Sequence, residues 1–351
     1  MKSRFFAKNL MAWYQKNKRG LPWRDTRNPY FIWLSEIILQ QTRVQQGLPY
    51  YLKFTQAFPN IQALAQASEH EIFSLWQGLG YYSRARNLHH TAKIIVQDHH
   101  SVFPSTYAEL LQLKGIGPYT AAAIASFAFK EAVPVVDGNV YRVLSRFYGD
   151  ETDISRPAAR AHFMRLAQDL IPSDQPDEFN QAIMELGALV CTPKQAQCSE
   201  CPLSIACFAF KRDTVYFYPI KLKKTIKQDR FFNYIVFHTS KHIYLTERKE
   251  KDIWQNLWVF PAIESDKLLN ETSFLNKWKH PLLTKLDTFS TGWKQTLSHR
   301  QVYGQFGLLK ISEKDKINIE NAFPGKWFPK MGISSLPKPV LMNRFLKAVK
   351  F

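Results

Sequence analysis

LKGIGPYTAAAIASFAF, residues 113–129, decides how this chain is read. Gly115 and Gly117 stand two apart between two segments of helical apolar spacing, and glycine lets the backbone turn tightly there. The amides of such a turn point outward at the start of the next helix, a geometry suited to gripping a phosphate oxygen. Pro118 fits the first turn of that helix, where its missing N–H costs nothing. Taken alone, the two glycines suit an ordinary helix–helix turn equally well, so the reading depends on their surroundings.

Twenty residues past Gly117, in AVPVVDGNVYRVLSR (132–146), stands Asp137, between an apolar run and a helical pattern. That position makes it a natural helix cap. Upstream, Glu36 lies on a predicted helix, 31–41, with Ile32, Trp33, Leu39 and Gln40 as its i±3 and i±4 neighbours. A carboxyl on so apolar a face is desolvated, and its pKa rises toward neutrality, ready to donate a proton. The plainer alternative is a solvated Glu at the edge of an amphipathic helix.

Downstream, the four cysteines of the chain, Cys191, Cys198, Cys201 and Cys207, fall in one stretch spaced C-x6-C-x2-C-x5-C. Four thiolates match the ligand count of an iron–sulfur cubane or a tetrahedral zinc. Structural zinc sites usually come as two short C-x2-4-C knuckles, whereas only Cys198 and Cys201 form one here, so the spacing favours iron–sulfur. Cysteines clustered in this way suit a reducing cytosol better than disulfide pairing, and a cytoplasmic location is expected.

The 351 residues exceed one average domain. With 47 Lys and Arg against 29 Asp and Glu, the formal charge of +18 favours a polyanionic partner, nucleic acid first among them. No run of 18 apolar residues exists to span a membrane, so no membrane partner is expected. The first residues, MKSRFFAKNLMAWYQKN, read as an amphipathic helix and lack the features of a signal peptide. Further helices are predicted over 69–77, 83–98, 107–113, 119–129, 140–148, 158–170 and 179–190. The lysine-rich stretch 211–229 reads as an exposed linker. Beyond it, near-alternating runs at 233–239, 243–247, 257–260 and 300–311 predict strands, closed by a helix over 339–350.

The hairpin, the aspartate after an apolar run and the four-cysteine loop, in that order, resemble the helix-hairpin-helix DNA glycosylases with an iron–sulfur loop. PWRDTRNPYFIWLSEIILQQTRV (22–44), WQGLGYYSRARNL (76–88) and VVDGNVYRVLSR narrow the resemblance to the adenine DNA glycosylase family (MutY-type). It implies three parts: a mostly α catalytic region over 1–210 with a [4Fe–4S] loop at 191–207, the linker 211–229, and an α+β Nudix-like domain over 230–351. It further implies double-stranded DNA with adenine opposite 8-oxoguanine or guanine as the substrate, bound by a monomer. Glu36 would protonate the flipped adenine, Asp137 would stabilise the sugar cation, and Tyr119 and Asn139 would align the site. Tyr119 stands where endonuclease III relatives carry a Schiff-base lysine, which implies a monofunctional enzyme. The resemblance assigns Gln181 to adenine recognition, and Leu21, Trp23, Arg24, Gln41, Thr42 and Tyr81 to the base pocket and the lesion. Gly115 and Gly117 would hold the DNA backbone.

In the second part, IWQNLWVFP (253–261) resembles a Nudix segment, but the following residues lack the R-E-x-x-E-E array that binds magnesium. TLSHR (296–300) matches the family's loop that reads 8-oxoguanine, with Ser298 and His299 as the reading residues and Leu297 in place of the usual phenylalanine. Two other readings compete: a bifunctional endonuclease III-like glycosylase and lyase, and a catalytically silent DNA-binding or redox module. Tyr119 disfavours the first of these, and Glu36 with Asp137 the second.

Overall fold

The computed structural model describes residues 2–222, 227–297 and 300–349. They form two compact units, Met1–Ala67 with Arg86–Lys224, and Ser68–Ala85 with Thr225–Phe351. The segment 68–85 thus packs with the second unit, although a boundary near 210 would leave it in the first.

In chain order the helices up to the cysteines are α1 (Lys2–Asn17), α2 (Pro29–Leu39), α3 (Val44–Ala57), α4 (Ile61–Gln66), α5 (Glu69–Trp76), α6 (Tyr82–Asp98), α7 (Tyr107–Leu110), α8 (Pro118–Phe129), α9 (Gly138–Tyr148), α10 (Pro157–Gln168) and α11 (Pro176–Leu189). Local chemistry sets where the site-bearing ones begin. The Asn28 side chain accepts from Tyr30 N ahead of α2, and Pro29, Pro118 and Pro176 open α2, α8 and α11. Helix α9 ends at Gly149, whose φ of +71° suits the left-handed turn after a helix. Helix α1 lies on α11, and α11 on α9, around Phe6, Leu10, Phe147, Phe163, Phe179 and Leu186. Full burial of each such side chain contributes roughly 1.5–3 kcal/mol, which fixes the wall from which α9 and α11 present polar groups.

Residues 211–222 are mostly exposed, with two buried anchors. Helix α12 (Phe208–Lys211) leads into a short turn where Val215 and Tyr218 are buried beside Ala209, Cys198 and Cys207. Ile154 N donates to Ile220 O at 3.0 Å, closing that stretch onto the helical unit. The lysine run masked these few apolar anchors.

The second unit is α+β. Its strands are β1 (Gln228–His238), β2 (His242–Glu247), β3 (Trp258–Val259), β4 (Ala262–Ser265), β5 (Thr288–Thr296), β6 (Arg300–Lys310) and β7 (Lys326–Pro329), with helices α13 (Glu271–Trp278), α14 (Lys316–Ala322) and α15 (Val340–Val349). The sheet runs β3-β2-β1-β6-β5, with β4 paired to β1 and β7 to β2. Strands β1 and β6 are parallel, from Gln228 opposite Arg300 to His238 opposite Lys310. Alternation along β1 sends Ile235 and Phe237 into a core with Phe274, Leu286 and Ile319, and Tyr234 to the other face. There Tyr234 stacks on Phe306 at 5.0 Å, and Phe306 on Phe345 of α15 at 3.9 Å. Ser298 and His299 lie outside the described residues, and Leu297 N donates to Arg300 O across that interval.

Candidate active site

The hairpin forms as its glycines predict. Gly115 takes φ +89°, and a Cβ there would come within 2.9 Å of Asn87 Cβ. Gly117 caps α8 in an extended conformation, so α8 starts with Pro118 and Tyr119. Helix α2 packs against α8. That contact places the Tyr119 hydroxyl 2.7 Å from Glu36 Oε2, to which it donates.

Glu36 is only 7% exposed. Burial pushes its carboxyl up to about 7; the Tyr119 hydrogen bond pulls down, the charge of Asp137 pushes up, and Arg24 pulls down. Asp137 caps α9 as its sequence position foretold, its Oδ1 accepting from Asn139 N at 2.8 Å and Val140 N at 2.9 Å. Its Oδ2 accepts from Asn139 Nδ2 at 2.7 Å. Burial raises the Asp137 pKa, against these three hydrogen bonds, which favour the charged form.

Glu36, Asp137, Tyr119, Asn139, Leu21, Trp23, Arg24, Thr42 and Gln181 all line one cavity of about 190 Å³. Gln41, Gly115, Gly117 and Tyr81 do not line it. Gln41 follows α2 at φ +56°, and Tyr81 sits in the second unit at φ +49°. Both are non-glycine residues in the left-handed region, a conformation that tends to concentrate at functional sites.

The sequence did not single out Tyr14, Arg19, Arg142 or Glu185. Glu185 lines the cavity with its side chain 1% exposed, and accepts from Arg19 and Arg24 at 2.6 and 2.7 Å. Burial would raise its pKa, but hydrogen bonds from both arginines outweigh that and hold it down at about 2. Tyr14 OH donates to Gln181 Oε1 at 2.7 Å. Arg142 donates to Asn139 Oδ1 at 2.9 Å, to Gly187 O at 2.6 Å and to Cys191 O at 2.6 Å, joining the start of α9 to the cysteine loop. A detectable signal was its place one turn after Asn139.

Cys191, Cys198, Cys201 and Cys207 line a second, small cavity of about 30 Å³ together with Arg146. Arg146 Nη1 donates to Cys191 Sγ at 3.3 Å. Burial pushes the Cys201 thiol up to about 12 and raises Cys198 and Cys207 as well. Among the described residues no three His, Cys, Asp or Glu groups gather as around one ion.

Known proteins resemble this chain in sequence and in fold. Residues 34–169 match the HhH-GPD superfamily of base excision DNA repair proteins. An adenine DNA glycosylase of Buchnera aphidicola from Schizaphis graminum is 38% identical over 261 residues, 74% of this chain and 75% of the relative. The human adenine DNA glycosylase is 46% identical over 217 residues, 59% of this chain and 40% of the relative. A thermostable thymine-DNA glycosylase superposes with a TM-score of 0.56 at 27% identity, covering 60% of this chain and 97% of that one. Endonuclease III in a non-covalent DNA complex shares the fold, with a TM-score of 0.52 at 19% identity over 60% of this chain and 95% of its own. A buried acid on α2, a capped aspartate after the hairpin and this kinship lead to one conclusion: the chain is a DNA glycosylase and belongs to the adenine DNA glycosylase family.

Proposed function

We propose that the protein excises adenine mispaired with 8-oxoguanine or guanine in double-stranded DNA, by hydrolysis alone and without strand cleavage. The observation that carries this reading is the Tyr119–Glu36 hydrogen bond, in a cavity that also holds Asp137 and whose described lining contains no lysine. A flipped adenine enters that cavity because its glycosidic bond is out of reach within the base stack. Glu36, poised near neutrality, donates its proton to N7 as the C1′–N9 bond breaks, and the electron pair leaves with a base that is now neutral. Asp137 balances the oxocarbenium charge, and Asn139 holds its carboxylate in place. Water then adds to C1′, and its proton returns to Glu36. Gln181 reads the base, with Leu21, Trp23, Arg24 and Thr42 forming the pocket, while Gln41 and Tyr81 work at the gap left in the duplex. Gly115 and Gly117 present backbone amides to a phosphate.

The donor set suits a [4Fe–4S] cluster held by Cys191, Cys198, Cys201 and Cys207. Four thiols converge on one cavity beside the Arg146 cation, and a cubane spreads its thiolates over separate irons, wider than a single ion would. When bound, the cluster would supply a structural staple for the loop that carries Lys194. The second unit, as a Nudix-like domain, would read the oxidised base through Ser298 and His299, with Leu297 beside them.

The test is a duplex with adenine opposite 8-oxoguanine, assayed with and without alkali. Strand breaks that require alkali support the proposal. Breaks without alkali indicate a lyase, and no base release a silent binding module. Purified anaerobically, the protein should be brown with about four irons per chain; stoichiometric zinc would overturn the cluster assignment.

A further inference from the structure

The loop between α5 and α6 turns in an unusual backbone conformation, with φ of +104° at Gly78, +73° at Gly80 and +49° at Tyr81. Glycine adopts such values freely, but an aromatic residue does not. Something must therefore hold Tyr81, a residue 40% exposed. Two side chains of the same unit converge on the loop. The buried Trp76 indole donates through Nε1 to Gly80 O at 2.9 Å. Arg84 Nη2 lies 3.4 Å from both Leu79 O and Gly80 O, and Arg84 N donates to Tyr81 O at 2.9 Å. The guanidinium centre sits 5.1 Å from the Trp76 ring and 5.7 Å from the Tyr81 ring, within cation–π reach of both. Burial lowers the Arg84 pKa to about 10, so the charge survives at neutral pH.

We propose that Arg84 is a positioning residue for Tyr81, strapping the 78–81 loop so that the phenol is presented to the duplex already in its inserting conformation. This rests on the reading of Tyr81 as the residue that works at the helix gap. Arginine is suited to this place because its planar guanidinium can lie against the rings while Nη2 reaches both carbonyls, and a lysine ammonium offers no such plane. Preorganisation of this kind adds affinity by removing an ordering cost that binding would otherwise bear.

The test uses the full-length protein and a duplex with an uncleavable adenine analogue opposite 8-oxoguanine. Arg84→Lys should weaken binding by about tenfold, as expected for coupled neighbours, and the loss should fall mainly on affinity rather than on the saturated single-turnover rate. Tyr81→Ala should lose at least as much, and the double variant no more than Tyr81→Ala alone, since Arg84 acts through Tyr81. Should Arg84→Lys also lower the melting temperature, Trp76→Phe, which removes the indole donor to Gly80 and shrinks the ring beside Arg84, should give a loss of the same kind. If Arg84→Lys binds within twofold of wild type, or the two losses multiply, the proposal is overturned while the reading of Tyr81 stands. If Tyr81→Ala binds as wild type does, both fall.

Discussion

Glu36 and Glu185 line the same cavity, one from α2 and the other from α11, and both are buried, yet they sit at opposite ends of the carboxylate range. Glu36 meets an apolar wall and one neutral hydroxyl, and rises to about 7. Glu185 meets two guanidinium groups and is held at about 2. Burial therefore does not by itself make a proton donor; the partners decide. One wall supplies an acid, and the other a fixed negative charge that anchors Arg24 and the loop carrying Leu21 and Trp23.

Removing the proton from Glu36 should do the most damage. Glu36→Gln keeps the size of the side chain but has no acid to give, so single-turnover excision from an adenine:8-oxoguanine duplex should fall by about 10³-fold while binding persists. Excision within tenfold of wild type would move the acid elsewhere. Asp137→Asn should cost on the order of 10²-fold or more, because the amide cannot balance the sugar cation. Glu185→Gln should act on the fold instead, leaving two arginines without their buried partner and lowering the unfolding free energy by roughly 3 kcal/mol in urea titrations. A variant as stable as wild type would show that the α11 wall needs no carboxylate.

The pH dependence of stability sharpens the contrast further, because the two groups have opposite signs. The raised pKa of Glu36 means its contribution is fully present below 4.5 and lost as pH rises through about 7; the lowered pKa of Glu185 means its contribution is present above 4.5 and lost as pH falls through about 2. Glu36→Gln should therefore raise the melting temperature at pH 8 relative to wild type and leave it unchanged at pH 4, an effect of at most about 3 kcal/mol. Wild-type excision should decline above pH 7 as the donor ionises. The least change is expected from two residues of the second unit. Changing Ser298 and His299 together to Ala should narrow the preference for 8-oxoguanine over guanine by roughly 1–3 kcal/mol without altering saturated single-turnover chemistry. An unchanged preference would withdraw those residues from lesion reading.

The helical half was largely legible because its signals are local. Helices predicted over 83–98, 119–129 and 140–148 are found at Tyr82–Asp98, Pro118–Phe129 and Gly138–Tyr148. The helix Val44–Ala57 escaped notice because Gly47 and Pro49 interrupt its pattern. Strand Thr288–Thr296 escaped because it is polar along most of its length and bulges near Gly292. At the site, Glu36 stood out through its apolar neighbours and Asp137 through its place before a helix. Glu185 did not, since its meaning depends on Arg19 and Arg24, more than 160 positions away in sequence. Sequence spacing reports a helix face well, but it carries no information about which distant charge that face will meet.

The segment 68–85 is synthesised long before the residues it bonds. Ser74 Oγ donates to Ser335 O across 261 positions, and Tyr82 OH to Lys338 O across 256. At ribosomal speeds the partners of this strip emerge on the order of tens of seconds after it does. Through that interval Ser74 and Tyr82 lack the carbonyls they meet in the finished protein. A chain cut short after residue 229 would lack both of these carbonyls, together with the strands on either side of positions 298 and 299. Point substitutions are therefore cleaner than truncation for separating lesion reading from base excision.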